Sequence, residues 1–198
     1  MARTIAADHD AKRAQILRAA AKVFAEQGFD RATMAGIARE CAISKANIYH
    51  YYASKDAILG DILETYLRGL RARICNIALD GLSPPARLQR VIEEILLAYQ
   101  GSDHQHRVQI NDMRRLPRAR QQVLRGYQRD LVAFVGGIIG DTAPGGFDRA
   151  PGKLRMVTMS VFGMLNWYYM WNANADEAAR RDYARLVAGL TLGGLKAI

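Results

Sequence analysis

Apolar residues recur at three- and four-residue steps along almost the whole chain, while alternating apolar and polar runs are nearly absent. The pattern predicts helices and no sheet. A first helix is expected from about Asp10 to Gln27, with Ile16, Ala20, Val23 and Phe24 on one face and Gly28 as its stop. Thr33 offers a capping hydroxyl to a short helix from Met34 to about Cys41. After a tight break at Ala42-Ile43, Ser44 caps a third helix, Lys45 to about Tyr51. Ser54 caps a fourth, with Asp56 in the first turn, where the helix dipole favours an anion. Ile58, Leu59, Ile62 and Leu63 continue its apolar stripe.

Gly81-Leu82-Ser83-Pro84-Pro85 punctuates the chain. Beyond it the periodicity predicts a helix from about Ala86 to Tyr99, with Leu88, Val91, Ile92, Ile95 and Leu96 inward. A basic helical region, His104 to Arg115, and a helix from Pro117 to about Ile139 follow. The proline- and glycine-rich stretch from Asp141 to Gly152 reads as a loop. Two long helices, Lys153 to Asn172 and Asp176 to Lys196, close the chain. The expected fold is all-α, about nine helices. A three-helix helix-turn-helix domain spans residues 1–54, and a helical ligand-binding and dimerisation bundle spans 55–198.

Composition changes this picture little, and charge changes it more. The chain has 198 residues, half of them hydrophobic (50%), enough to bury a sizeable core. Its formal net charge is +9, which draws it to polyanions: nucleic acid, acidic lipid or phosphorylated ligands. Cys41 and Cys75 are too far apart in sequence for a metal motif and too few for a disulfide framework. The most apolar stretch, Met156 to Trp171, is short for a membrane span and is broken by Thr158, Ser160, Gly163 and Asn166. With no apolar segment opening the chain, a soluble, cytoplasmic protein is expected.

The stretch ISKANIYHYYASKDAIL, residues 43–59, carries the candidate chemistry. Helix, short turn and second short helix have the layout of a helix-turn-helix. Ile37, Ala38 and Ile48 point inward, which leaves Lys45, Ala46, Asn47, Tyr49 and His50 outward. In such a unit the second helix presents its N-terminal residues to the major groove of DNA. Lysine there neutralises a phosphate or reaches a guanine edge, and asparagine pairs with adenine through two hydrogen bonds. Tyr49 and His50 can donate to phosphate oxygens. Thr33 and Lys55 stand at the starts of flanking helices, where free N–H groups favour phosphate.

Residues 12–63, and within them ILRAAAKVFAEQGFDRATMAGIARECAISKANIYHYYASKDAILGDIL, resemble the DNA-binding domain of the TetR family of transcriptional repressors. The resemblance implies that Thr33 contacts phosphate, that Lys45, Ala46, Asn47 and Tyr49 lie in or against the major groove, and that Ser44, His50 and Lys55 hold the backbone. One departure is Ala42, where the family usually has glycine; a positive φ there would strain alanine.

Two heads on one face of DNA require a homodimer whose two-fold axis mirrors a palindromic operator. The last two helices are the candidate interface, because Gly189, Gly193 and Gly194 would let another helix approach closely; packing within one subunit is the alternative. The segment FGMLNWYYMWN, residues 162–172, is too apolar to expect at the surface, and core packing accounts for most of it. A buried Asn166 needs a partner, either a backbone carbonyl or a ligand. Arg107, Arg114, Arg118, Arg125 and Arg129 fall on one side at helical spacing, as a solvated face or an anion site. Together these segments resemble the effector domain of a TetR subgroup that responds to acyl-CoA thioesters. That resemblance implies an apolar tunnel beside arginines, with Arg114, Arg118, Phe162, Asn166, Trp167 and Trp171 as candidate contacts.

The expected function is a repressor that leaves its operator when a small hydrophobic effector binds. An efflux regulator of the same family that takes cationic drugs is the rival, and Glu93 and Glu94 are the main acidic residues such a site could use. From other classes, an enzyme finds no Ser-His-Asp motif, phosphate loop or metal spacing, and no cofactor is implied. A membrane-surface binder would need a basic amphipathic helix with exposed aromatics.

Overall fold

The computed structural model describes residues 2–143, 145–147, 151–172 and 174–195. Among them are nine α-helices, one 3₁₀ turn and no strand. The helices are α1 (Ala2–Gln27), α2 (Met34–Glu40), α3 (Lys45–Tyr51), α4 (Lys55–Cys75), α5 (Pro84–Tyr99), α6 (Asp103–Asp112), α7 (Arg118–Thr142), α8 (Pro151–Trp171) and α9 (Glu177–Leu195); the 3₁₀ turn is Met113–Arg115.

The chain divides into two units. The first comprises residues up to Arg68 and Ser102–Arg125; the second comprises Gly69–Gly101 and residues from Gly126 onward. This division differs from a single cut after residue 54. The boundary at Arg68 falls inside α4, so the first part of α4 belongs with the head, and α6 packs along α1, so α6, the 3₁₀ turn and the first turns of α7 belong there too.

In the first unit Ile16, Ala20, Val23 and Phe24 of α1 are buried, as their spacing predicts. They meet Ile37 and Ala38 of α2, Ile48 of α3 and the stripe Ile58, Leu59, Ile62, Leu63 of α4 in one apolar core. α1 ends at Gly28, whose φ of +81° suits glycine alone and whose N–H bonds Phe24 O at 3.0 Å. α1 also starts earlier than expected. The alanine-rich residues that precede Asp10 are good helix formers and simply extend it.

In the second unit α5 buries Leu88, Val91, Ile92, Ile95, Leu96 and Tyr99 on one face and packs chiefly on α9. Its first two residues are prolines, which lack the N–H that a first turn leaves unbonded. Arg180 of α9 is buried; it donates through Nε to Ala175 O at 3.1 Å and through Nη1 to Leu96 O at 3.3 Å, closing the turn before α9 onto the end of α5. The expected loop at Asp141–Gly152 is shorter at both ends, since α7 reaches Thr142 and α8 begins at Pro151; positions 144 and 148–150 lie outside the described residues. Lys196 does as well.

Burial raises the pKa of both thiols, Cys41 and Cys75, away from the reactive thiolate range. Among the described residues no helix is long and apolar enough to cross a membrane.

Candidate nucleic-acid interface

α2 and α3 are each started by a side chain. Thr33, in extended backbone, accepts the N–H of Gly36 at 3.0 Å, and Ser44 accepts that of Asn47 at 3.1 Å. Each cap satisfies one first-turn donor and leaves the earlier N–H groups without an intrahelical acceptor. Such a helix start attracts phosphate. Ser54 does the same for α4, accepting from Ala57 N at 3.2 Å.

The turn between α2 and α3 is set by two crossed backbone bonds. Ile43 N–H reaches Ala38 O at 3.0 Å, and Ala42 N–H reaches Arg39 O at 3.1 Å. This is the Schellman pattern, and it puts Ala42 at φ +54°, in the left-handed region where glycine is normal. The strain anticipated for an alanine at this position is therefore present. The turn keeps the same shape that glycine would give it.

α3 buries Ile48 completely, leaves Tyr51 half-buried and turns its other side chains outward. Lys45, Ala46, Asn47, Tyr49 and His50 are all exposed, as is Ser44 at its cap. Tyr49 is 48% exposed, unusual for so large a side chain in so short a helix. One short helix thus shows solvent a cation, an amide, a phenol and an imidazole, with a single side chain anchoring it from below. That combination can pair with phosphate oxygens and read base edges.

Lys55 differs from the expectation. Its ammonium turns inward and donates to the carbonyls of Phe29 at 2.8 Å, Asp30 at 3.1 Å and Ala32 at 3.2 Å. It also lies 4.5 Å from the Phe29 ring centroid. Its amine is engaged in holding the α1–α2 connector, so only its N–H and its charge remain for a phosphate. The reason is long-range: the accepting carbonyls lie more than twenty positions earlier, beyond the reach of any local pattern.

His9 is a residue that sequence reasoning missed. It stacks on Tyr51 of α3 with ring centroids 4.9 Å apart, and His50 meets Tyr51 edge-on at 6.0 Å. The signal existed: His9 lies seven positions, two helical turns, before the buried Ile16. It was hidden by starting α1 too late.

Residues 16–62 match the family of bacterial regulatory proteins of the tetR type, and residues 81–195, more than half of the chain, match the tetracyclin repressor-like C-terminal domain. The chain belongs to the TetR family. A TetR-family regulator from Bordetella parapertussis has the same fold: TM-score 0.83 at 30% identity, covering 91% of this chain and 93% of that one. The repressor KstR2 of Mycobacterium tuberculosis is 29% identical over 102 residues, 52% of this chain and 50% of that protein. AibR, solved with isovaleryl coenzyme A and operator DNA, shares the fold at TM-score 0.73 and 20% identity, over 90% of this chain and 97% of that one. The chain spans between a quarter and a half of the length of the first curated relatives it matches, 24% and 50%. TetR regulators bind operator DNA, dimerise and respond to small molecules.

The candidate effector residues of this TetR chain are divided between the two units. Arg114 and Arg118 are exposed and belong to the first unit; Phe162, Asn166, Trp167 and Trp171 belong to the second. The arginine stripe is also broken. α6 ends at Asp112, and the 3₁₀ turn and Pro117 reset the helical phase, so only Arg118, Arg125 and Arg129 share one helix. On α8, Phe162 is buried, and the half-buried Asn166 accepts the Tyr99 hydroxyl at 2.8 Å, a hydroxyl whose pKa burial pushes up.

Trp167 and Trp171 correct the expectation of burial: within one chain they are 58% and 60% exposed. Met156, Met159 and Met170 line the same face, and Leu186 and Leu190 show a matching one on α9. Gly189, Gly193 and Gly194 are open; a Cβ on any of them would meet nothing within 4 Å. Among the described residues they serve no close approach inside the subunit.

Proposed function

We propose that this chain is a homodimeric, effector-responsive repressor whose α3 enters the major groove of a palindromic operator. The supporting observation is the surface of α3. Ile48 is wholly buried while Lys45, Ala46, Asn47, Tyr49 and His50 are all exposed, directly after a capped helix start. Thr33 and Ser44 then hold phosphates through helix starts on either side of the turn, and Lys45, Asn47 and Tyr49 meet bases. Replacing Lys45 and Tyr49 together by alanine tests this. Each specific base contact is worth about 1–3 kcal/mol, so the double variant binds a selected operator at least roughly thirtyfold more weakly while the dimer stays folded. An unchanged gel-shift affinity refutes the assignment.

The dimer forms through the exposed faces of α8 and α9. Two tryptophans, three methionines and two leucines exposed on α8 and α9 are more large apolar side chains than a soluble monomer usually shows on two helices. The open glycines of α9 allow the close helix approach for which they were singled out. The two α3 helices then lie one helical turn apart, about 34 Å, on one face of DNA. The effector acts by population shift, binding better to dimers whose heads are wrongly spaced.

For the effector, an acyl-CoA thioester is the class this reading favours. AibR, a fold neighbour, was solved with isovaleryl coenzyme A. Phe162 and Asn166 remain the candidate contacts for the acyl chain, and Arg114 and Arg118 those for phosphates. A cationic drug is less well served. Glu94 is taken by Arg73 at 2.6 Å and Arg90 at 3.4 Å, and Glu93 pairs with Arg181, so neither carboxylate is left for a ligand cation. Titration of the operator complex with short- and long-chain acyl-CoAs decides: release supports the class, and indifference to every acyl-CoA removes it.

A further inference from the structure

Two arginines outside the helix-turn-helix grip it on either side. Arg115, in the 3₁₀ turn after α6, donates through both terminal nitrogens to the two carboxylate oxygens of Asp30, at 2.8 and 2.7 Å. Its Nε donates to Asp112 at 2.9 Å, which fixes the guanidinium plane. The same guanidinium lies 5.3 Å from the Phe29 ring centroid, beside the ammonium of Lys55. Asp30 sits in the connector that Lys55 ties down through three carbonyls, three positions before the Thr33 cap of α2.

Arg120, in the first turn of α7, lies over Gly60 of α4. A Cβ at Gly60 would collide with its guanidinium. Its Nη1 stands 4.0 Å from Asp61, the carboxylate that also accepts Arg13 of α1 at 2.6 Å. Tyr52, the residue that ends α3, lies in the field of that same carboxylate. The segment 115–120 therefore holds the head at the entry to α2 and behind the exit of α3.

We propose that Arg115 and Arg120 are positioning residues for operator recognition: they set the angle at which α2 and α3 meet DNA without touching it. The inference rests on the DNA-binding reading above. The Arg115–Asp30 pair is exposed and adds little to stability. A bidentate arginine–carboxylate pair does fix geometry. Losing either grip should then cost specific binding and spare the fold.

The test uses the full-length dimer and a duplex that the wild-type protein selects from a random-sequence library. The readout is the ratio of operator affinity to random-duplex affinity, measured by fluorescence anisotropy, beside the melting temperature. R115D and D30R each lower the ratio by about tenfold, the size of effect expected from residues that act at one remove. The swap D30R/R115D, with the wild-type net charge, restores it. G60A carries no charge change and evicts only the far end of a flexible side chain. It lowers the ratio while the melting temperature holds or rises. Single variants at the wild-type ratio, a swap that fails to restore it, or a G60A protein with unaltered specificity overturns the proposal. A wild-type dimer that selects no duplex overturns the DNA-binding reading, and this proposal with it.

Discussion

Replacing Ala42 by glycine isolates the strain stored in the turn of the helix-turn-helix. Ala42 sits at φ +54°, held by the crossed bonds from Ile43 and Ala42 to the end of α2. The left-handed conformation costs an ordinary residue about 1–2 kcal/mol. Glycine removes that cost and gives back about 0.5–1 kcal/mol through its freer unfolded chain. The difference is a net stabilisation of about 0.5–1 kcal/mol. For a chain of this length that corresponds to a rise of about 1–4 °C in melting temperature. Urea unfolding followed by far-ultraviolet circular dichroism measures it, with scanning calorimetry for the midpoint. Operator affinity stays unchanged, because the turn already has the shape glycine prefers and α3 keeps its cap. A glycine variant that melts lower refutes the reasoning. It would mean that the turn leaves the left-handed region in solution, or that the alanine methyl makes a contact worth more than the strain.

Other consequences are equally direct. Among the described residues the Tyr52 hydroxyl is buried and makes no hydrogen bond of good geometry, although Asp61 and Arg13 stand close; burial first, and then Asp61, pushes its pKa up to about 12. The folded state thus holds this proton more tightly than the unfolded state does. The contribution is full below the unfolded value of about 10 and is lost as pH rises from there through about 12. Y52F flattens that alkaline loss and does not destabilise at neutral pH, since an unpaired buried hydroxyl is itself costly; a large drop in its urea midpoint would contradict this. L190E places a charge in the exposed face of α9 and converts the dimer to monomer in sedimentation velocity, with weakened operator binding; an intact dimer moves the interface elsewhere. T33A removes the α2 cap and lowers stability by about 1 kcal/mol, and it weakens operator binding as well if a phosphate rests there.

What was legible in the chain follows from the range of the forces involved. α3 could be read to the residue, because Ser44 caps locally, Ile48 alone is apolar at the right phase, and Tyr51 ends the run. The left-handed turn was legible from one alanine in a place that asks for glycine. The partners of Lys55 were not, since its three carbonyls come from a connector more than twenty residues away. Arg115 and Asp30 meet across 85 positions, and nothing in either local pattern announces it. The arginine stripe misled because Pro117 breaks the helix on which the spacing was counted. α8 misled for another reason. Its pattern says that all sides must leave water but not what covers each, and Trp167 and Trp171 stay exposed outside the chain's own core.

The most direct measurement is methylation protection of guanine N7 on a selected operator, which reports occupancy of the major groove. The account predicts two protected patches centred about ten base pairs apart, or a multiple of that, on one face of the duplex, both lost when Lys45 and Tyr49 are replaced. One patch alone, or protection that survives that double replacement, would contradict it.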